Sequence, residues 1–236
     1  MSKTLTYAAD GLNFQSQLFP AASATAPAVL VFPEAFGLSE HALGKAERLA
    51  GLGYHALACD LHGDAKLVTD LQEAIGLLQP LFTAPERTRA RATAALQALV
   101  SETGATRVAA IGYCFGGTMA LELARSGANI QAAVGFHSGL GSADPVKGPG
   151  TIKAKILVCI GADDPMIPAE QRAAFEAEMR AAQVDWQLHV YGGVVHSFTE
   201  PKAASRNMPD AIRYSAEADA RSFASMEQLF KEVLAQ

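Results

Sequence analysis

The chain has 236 residues, with 19 basic against 24 acidic side chains for a formal charge of -5; half of its residues are hydrophobic and 18% are charged. That balance excludes a disordered chain and argues against nucleic acid as a partner, since phosphate contacts need a basic face. The opening MSKTLTYAAD lacks the apolar core of a secretory signal and no apolar run could span a bilayer, so the expectation is a cytoplasmic protein without a membrane partner, its three cysteines kept as thiols.

In chain order, the pattern predicts a β-hairpin from Leu5 to Ala8 and Leu12 to Phe19 around Asp10-Gly11, then a buried strand at Ala28 to Phe32. A helix from Ser39 to Leu52, stopped by Gly53, leads to a strand at Tyr54 to Cys59. Helical patterns follow at Asp64 to Leu81 and at Pro85 to Glu102, the second with proline in its first turn. A strand at Arg107 to Tyr113 runs into a helix starting beside Phe115. Strands at Ile130 to Phe136 and Lys155 to Ile160 come next, separated by a Gly/Pro-rich loop. A helix at Pro168 to Ala182, a strand at Asp185 to Tyr191 and a helix from Pro209 to Leu234 finish the chain. Continuously apolar strands alternating with helices indicate a doubly wound, mainly parallel sheet with an antiparallel edge hairpin, in one α/β domain spanning 1–236. The arginines at 87, 89 and 91 read as a solvated helix face, with Arg87 or Arg91 the candidates to hold a substrate carboxylate.

The stretch from Arg107 to Ala120, RVAAIGYCFGGTMA, is an apolar strand, then Gly112-Tyr113-Cys114-Phe115-Gly116, then a helix. This is the G-x-S-x-G nucleophile elbow with cysteine in place of serine, in the strand-to-helix context that the motif requires. A helix N-terminus favours the thiolate, the reactive form. Cys59 and Cys159 lie inside apolar strands and read as packing residues. The thiols lack metal-ligand spacing, and neither a metal nor a cofactor is expected.

An α/β-hydrolase presents nucleophile, acid and histidine in that order, from loops after successive strands. Here GADDPMIP follows one strand and GGVVHSF another. Asp164 is favoured over Asp163 because it fits G-x-x-D-x-x-I-P, and His196 is the candidate base. Of the other histidines, His62 and His137 follow strands and are candidates for lining the pocket, together with Tyr113 and Phe198.

Four motifs in order, VFPEAFGL (Val31 to Leu38), GYCFGG (Gly112 to Gly117), GADDPMIP (Gly161 to Pro168) and HSF (His196 to Phe198), resemble the dienelactone hydrolase family over nearly the whole chain. The resemblance implies an α/β-hydrolase fold without a large lid domain, Cys114 as nucleophile, Asp164 as orienting acid and His196 as base. It further implies an oxyanion hole from the N–H groups of Ala35 and Phe115, and Glu34 in contact with the resting thiol. Where founding members of the family carry an arginine shortly after His-Ser-Phe, this chain has Thr199 and Glu200. A carboxylate cannot replace a bidentate clamp, so dienelactone itself is disfavoured as substrate.

The expected reaction is hydrolysis of a small ester or lactone through a thioester, by a monomer or small homo-oligomer. A thioesterase or other acyl hydrolase, and a non-catalytic homologue that binds a small ligand, stand as alternatives. The absence of a nearby resolving cysteine speaks against a redox sensor.

Overall fold

The computed structural model describes residues 2–235. One eight-stranded sheet runs through them, formed by β1 (Lys3–Ala9), β2 (Leu12–Phe19), β3 (Ala28–Phe32), β4 (His55–Ala58), β5 (Val108–Tyr113), β6 (Ala132–Phe136), β7 (Lys155–Gly161) and β8 (Trp186–Tyr191). The spatial order is β1-β2-β4-β3-β5-β6-β7-β8. The first two strands form the expected hairpin, with Asp10 and Gly11 both at positive φ, and β2 joins β4 antiparallel; the remaining neighbours are parallel.

The helices are α1 (Glu40–Gly51), α2 (Leu71–Thr83), α3 (Pro85–Thr103), α4 (Phe115–Arg125), α5 (Ala169–Ala181) and α6 (Ala216–Val233). Central strands are buried on both faces, so their alternate residues feed two cores. Leu30, Phe32 and Ala110 join one core with residues of α2 to α5, whereas Val29, Val31, Ile111 and Tyr113 join the other with Leu49 of α1 and Phe223 and Phe230 of α6. The β6–β7 connection carries no helix, and no helix among the described residues is long and apolar enough to cross a membrane.

Two helix starts differ from expectation. The helix predicted from Asp64 begins at Leu71, because Asp70 is the N-cap and accepts from the Glu73 N–H at 2.8 Å. The last helix begins at Ala216 rather than Pro209, with Ser215 accepting from the Ala218 N–H. Residues 199–215 are therefore a long connection, holding only a 3-10 turn at Ala203–Arg206. Nor do the α3 arginines form a solvated face. Arg87 and Arg91 grip Asp10 at the hairpin turn, each at 2.8 Å, and Arg89 pairs with Glu122 and Asp144. All three are engaged in fold ion pairs and absent from the cavity that Cys114 lines.

Candidate active site

The site collects at the carboxyl ends of β3, β5, β7 and β8, where parallel strands leave a crevice. Cys114 stands between β5 and α4 with φ 54 and ψ -123, a backbone that costs about 1–3 kcal/mol for a side-chain-bearing residue. The flanking glycines make the turn sterically feasible. A Cβ on Gly112 would lie 2.0 Å from the Gly116 carbonyl oxygen, and one on Gly116 would lie 2.3 Å from that of Phe32. The same close approach brings the start of α4 against the end of β3.

Two backbone amides of these segments lack an acceptor in the fold among the described residues. Phe115 is the first residue of α4, so its N–H has no acceptor within the helix, and the N–H of Ala35 donates to no group of the fold among the described residues. The Ala35 loop is held by His62, whose Nε2 bonds the Ala35 carbonyl at 2.8 Å.

Asp164 follows β7 and is 3% exposed. Its Oδ2 lies 2.8 Å from His196 Nδ1 while Oδ1 accepts from the Met166 N–H at 2.8 Å, fixing the carboxylate from both sides. Asp163 is exposed. Burial works against charge on His196, yet Cys114 and Asp164 together raise its pKa to about 10. His196 Nε2 is buried with no hydrogen-bond partner, and both His196 and Cys114 line one cavity of about 280 Å³.

Glu34 lines that cavity too, but its hydrogen bond runs to the Ser197 hydroxyl, which donates to Oε1 at 3.1 Å; no hydrogen bond joins it to Cys114 among the described residues. Ser197, at φ 52, turns its hydroxyl towards the carboxylate. Burial raises the Glu34 pKa, and Glu200 adds to the rise.

The four pocket-lining candidates all sit behind the wall instead. Tyr113 points to the opposite core and stacks on Phe136 at 4.9 Å. Phe198 is fully buried against His137 and Tyr191. His62 braces the Ala35 loop. His137 lies beneath the nucleophile: its Nδ1 accepts from the Cys114 N–H at 3.2 Å, which leaves Nε2 to donate to Thr199 Oγ1 at 2.8 Å. Burial, reinforced by His196, keeps that ring neutral.

The wall itself comes from Phe36, Leu71, Met166, Arg206, Met208 and Ile212, none of which the sequence reading singled out. Arg206 is the cation here, its guanidinium 3.4 Å from the Phe36 ring centre and without an ion pair among the described residues. Phe36, Thr69, Glu200, Ser205 and Arg206 also border a wider groove of about 820 Å³ against α1.

Comparison with known proteins gives a consistent result. Residues 14–234 match the model of the dienelactone hydrolase family. A probable 2-oxo-3-(5-oxofuran-2-ylidene)propanoate lactonase of Bradyrhizobium sp is 30% identical over 80% of this chain and 82% of its own length. A carboxymethylenebutenolidase of Pseudomonas putida is 27% identical over 83% and 84%. Among solved structures, m3DLH is 44% identical with a TM-score of 0.95, covering 100% of this chain and 99% of its own. A dienelactone hydrolase-like promiscuous phosphotriesterase from metagenomic libraries is 41% identical with a TM-score of 0.92, over 100% and 99%.

Proposed function

The chain belongs to the dienelactone hydrolase family, and on that footing we propose that it hydrolyses a small ester or lactone through a thioester formed on Cys114, as a single catalytic domain. The thiol proton passes to His196 Nε2, giving the thiolate–imidazolium pair that the interaction of the two groups favours; Sγ then attacks the carbonyl carbon, and the N–H groups of Ala35 and Phe115 receive the charge developing on the carbonyl oxygen. Collapse breaks the bond to the alcohol oxygen, which leaves with the proton from His196. Water then attacks the thioester, delivering one proton to Nε2 and returning the acid and the free thiol. Asp164 holds the imidazole in the tautomer that leaves Nε2 free for this traffic.

The observation that carries the reading is the His196–Asp164 pair at 2.8 Å, with the opposite ring nitrogen unpartnered and the ring in the wall that Cys114 shares. The 280 Å³ cavity suits a small acyl group. A carboxylate on the substrate would meet Arg206, since Thr199 and Glu200 stand where founding members of the family carry an arginine shortly after His-Ser-Phe, and Arg87 and Arg91 are spent on Asp10. Rapid quenching of a p-nitrophenyl ester reaction, followed by peptide mass spectrometry, tests the proposal. The expected result is acyl mass on the Cys114 peptide and loss of turnover in Cys114→Ala. Undiminished turnover in that variant, or acylation elsewhere, overturns it.

The phosphotriesterase relative supports a second activity for the same groups: Cys114 Sγ attacks the phosphorus of a phosphotriester and expels the aryloxide, which takes the proton from His196, and water activated by His196 then cleaves the S–P bond to return the thiol, the two amides receiving the phosphoryl oxygen. Paraoxon turnover that disappears in Cys114→Ala is the expected outcome; equal release of nitrophenol by the variant removes the reading.

A further inference from the structure

At the wall shared by the cavity and the wider groove, Glu34, Glu200 and His41 converge from three separate segments: the β3–α1 loop, the connection after His196, and the first turn of α1. Their ligand atoms all lie within 4.8 Å of one another, with Glu34 buried and His41 and Glu200 partly buried. Nothing in the ester-hydrolysis mechanism uses this grouping.

Three features distinguish it from a chance meeting of polar side chains. His41 donates from Nε2 to the Thr199 carbonyl at 3.0 Å, which leaves Nδ1 as a bare lone pair, and that atom is buried with no partner. Coordination through Nδ1 would keep Nε2 anchored on that backbone carbonyl, the arrangement that fixes tautomer and orientation in metal-ligating histidines. Secondly, the two carboxylates lie within 4.8 Å of each other, and a cation between them would relieve that like-charge contact. Thirdly, the neighbouring lysines are already paired, Lys45 with Asp219 at 2.9 Å and Lys202 with Glu40, and Arg206 stacks on the Phe36 ring, so none of the three forms an ion pair with these carboxylates among the described residues.

We propose that Glu34, His41 and Glu200 form a binding site for a divalent transition-metal cation, Zn²⁺ foremost. One imidazole and two carboxylates are a ligand set that Zn²⁺ accepts, with water completing a tetrahedron. Bonds of about 2.0–2.2 Å put tetrahedral ligands about 3.3–3.6 Å apart, so the observed spread closes with roughly 1–1.5 Å of movement. Glu200 can supply it, being only partly buried and tied through Oε1 to the Lys202 amide alone. A bound ion would tie the segment carrying His196 to α1 at the wall both cavities share.

The test uses the full-length Cys114→Ala protein, so that the thiol cannot act as ligand and the outcome is independent of the nucleophile assignment. Titration with Co²⁺ should give visible ligand-field bands without sulfur charge-transfer absorption, and calorimetry should show one Zn²⁺ per chain. Adding Glu200→Gln, at a partly exposed position that folding tolerates, should weaken binding by more than the roughly 10–100-fold that outer-shell changes cost. His41→Gln should do the same, with circular dichroism confirming the fold. Equal affinity in the folded Glu200→Gln protein, or no Co²⁺ spectrum at millimolar metal in the Cys114→Ala parent, overturns the proposal.

Discussion

Asp164→Asn isolates the link between structure and catalysis, because it changes one charge at constant size. The carboxylate accepts from His196 Nδ1 at 2.8 Å and from the Met166 amide at 2.8 Å. An asparagine oxygen can keep only one of these bonds well. If its NH₂ group faces the ring, Nδ1 must become the acceptor and the proton moves to Nε2, where it blocks the base. A buried hydrogen bond to a charged group contributes about 1.5–3 kcal/mol, and 1.36 kcal/mol is tenfold in rate, so the bond alone accounts for about 10- to 150-fold. Tautomer reversal adds to this. The corresponding change in serine triads costs about 10,000-fold, but a thiol loses its proton more easily than a hydroxyl and depends less on the base. The expected loss in kcat is therefore about 100- to 1,000-fold, against less than about twofold for Asp163→Asn at its exposed position.

The same variant carries a pH signature. His196 holds its proton up to about 10 in the fold against an ordinary 6.5, so its contribution to stability is complete below 6.5 and is lost as pH rises towards 10. The melting temperature of the parent should fall across that window, and that of Asp164→Asn should fall less. Steady-state hydrolysis of p-nitrophenyl acetate together with melts at several pH values measures both effects. Asp164→Asn retaining more than a tenth of parental kcat with an intact fold, or Asp163→Asn proving the more damaging, would refute the assignment of the acid.

Gly116→Ala should destabilise by about 3 kcal/mol or more in urea melts, because the new methyl group meets the Phe32 and Pro33 carbonyls at 2.3 and 2.4 Å and neither is a side chain that can swing away. Arg91→Ala should cost about 1–3 kcal/mol, because the Leu61 carbonyl and one Asp10 oxygen lose a charged donor while Arg87 still pairs with Asp10, and KM for a small neutral ester should stay unchanged since Arg91 is absent from the cavity wall. Cys59→Ala and Cys159→Ala should each lower stability by about 1–2 kcal/mol and leave kcat intact; burial keeps both thiols protonated, up to about 12 for Cys159. A large fall in kcat in either would show that the wrong cysteine has been taken as nucleophile.

Legibility in the sequence followed the range of the interaction that each feature depends on. The elbow is local: strand, G-x-C-x-G and helix lie within a dozen residues, and the glycine pattern states the steric demand at Gly112 and Gly116 directly. The order of acid and histidine survives because each follows its own strand, and the spacing before Pro168 separated Asp164 from Asp163. Helix starts were misjudged where hydrophobic periodicity outweighed the caps, although Asp70 with Glu73 three residues on is a capping-box signal. The helix expected from Pro209 starts only after the true cap at Ser215. That error hid the cavity wall, since Arg206, Met208 and Ile212 belong to irregular chain that carries no period. The pairing of His137 with the Cys114 amide, and the meeting of Glu34, His41 and Glu200, join segments far apart in sequence and leave no local trace.

Residues 199–215 are not a free flap over the site. His196 N–H donates to the Ala211 carbonyl, Arg213 N–H donates back to the His196 carbonyl, and Ser215 N–H donates to that of Phe198. The segment that shapes the cavity thus shares its backbone bonding with the residue proposed as base. For anyone reshaping selectivity, this divides the accessible variation in two. Side-chain libraries at Arg206, Met208 and Ile212 alter what the wall presents while the backbone clamps stay in register. Insertions, deletions or wholesale exchange of the segment would displace the imidazole along with the wall, and should return catalysts slow on every substrate rather than catalysts with new preferences.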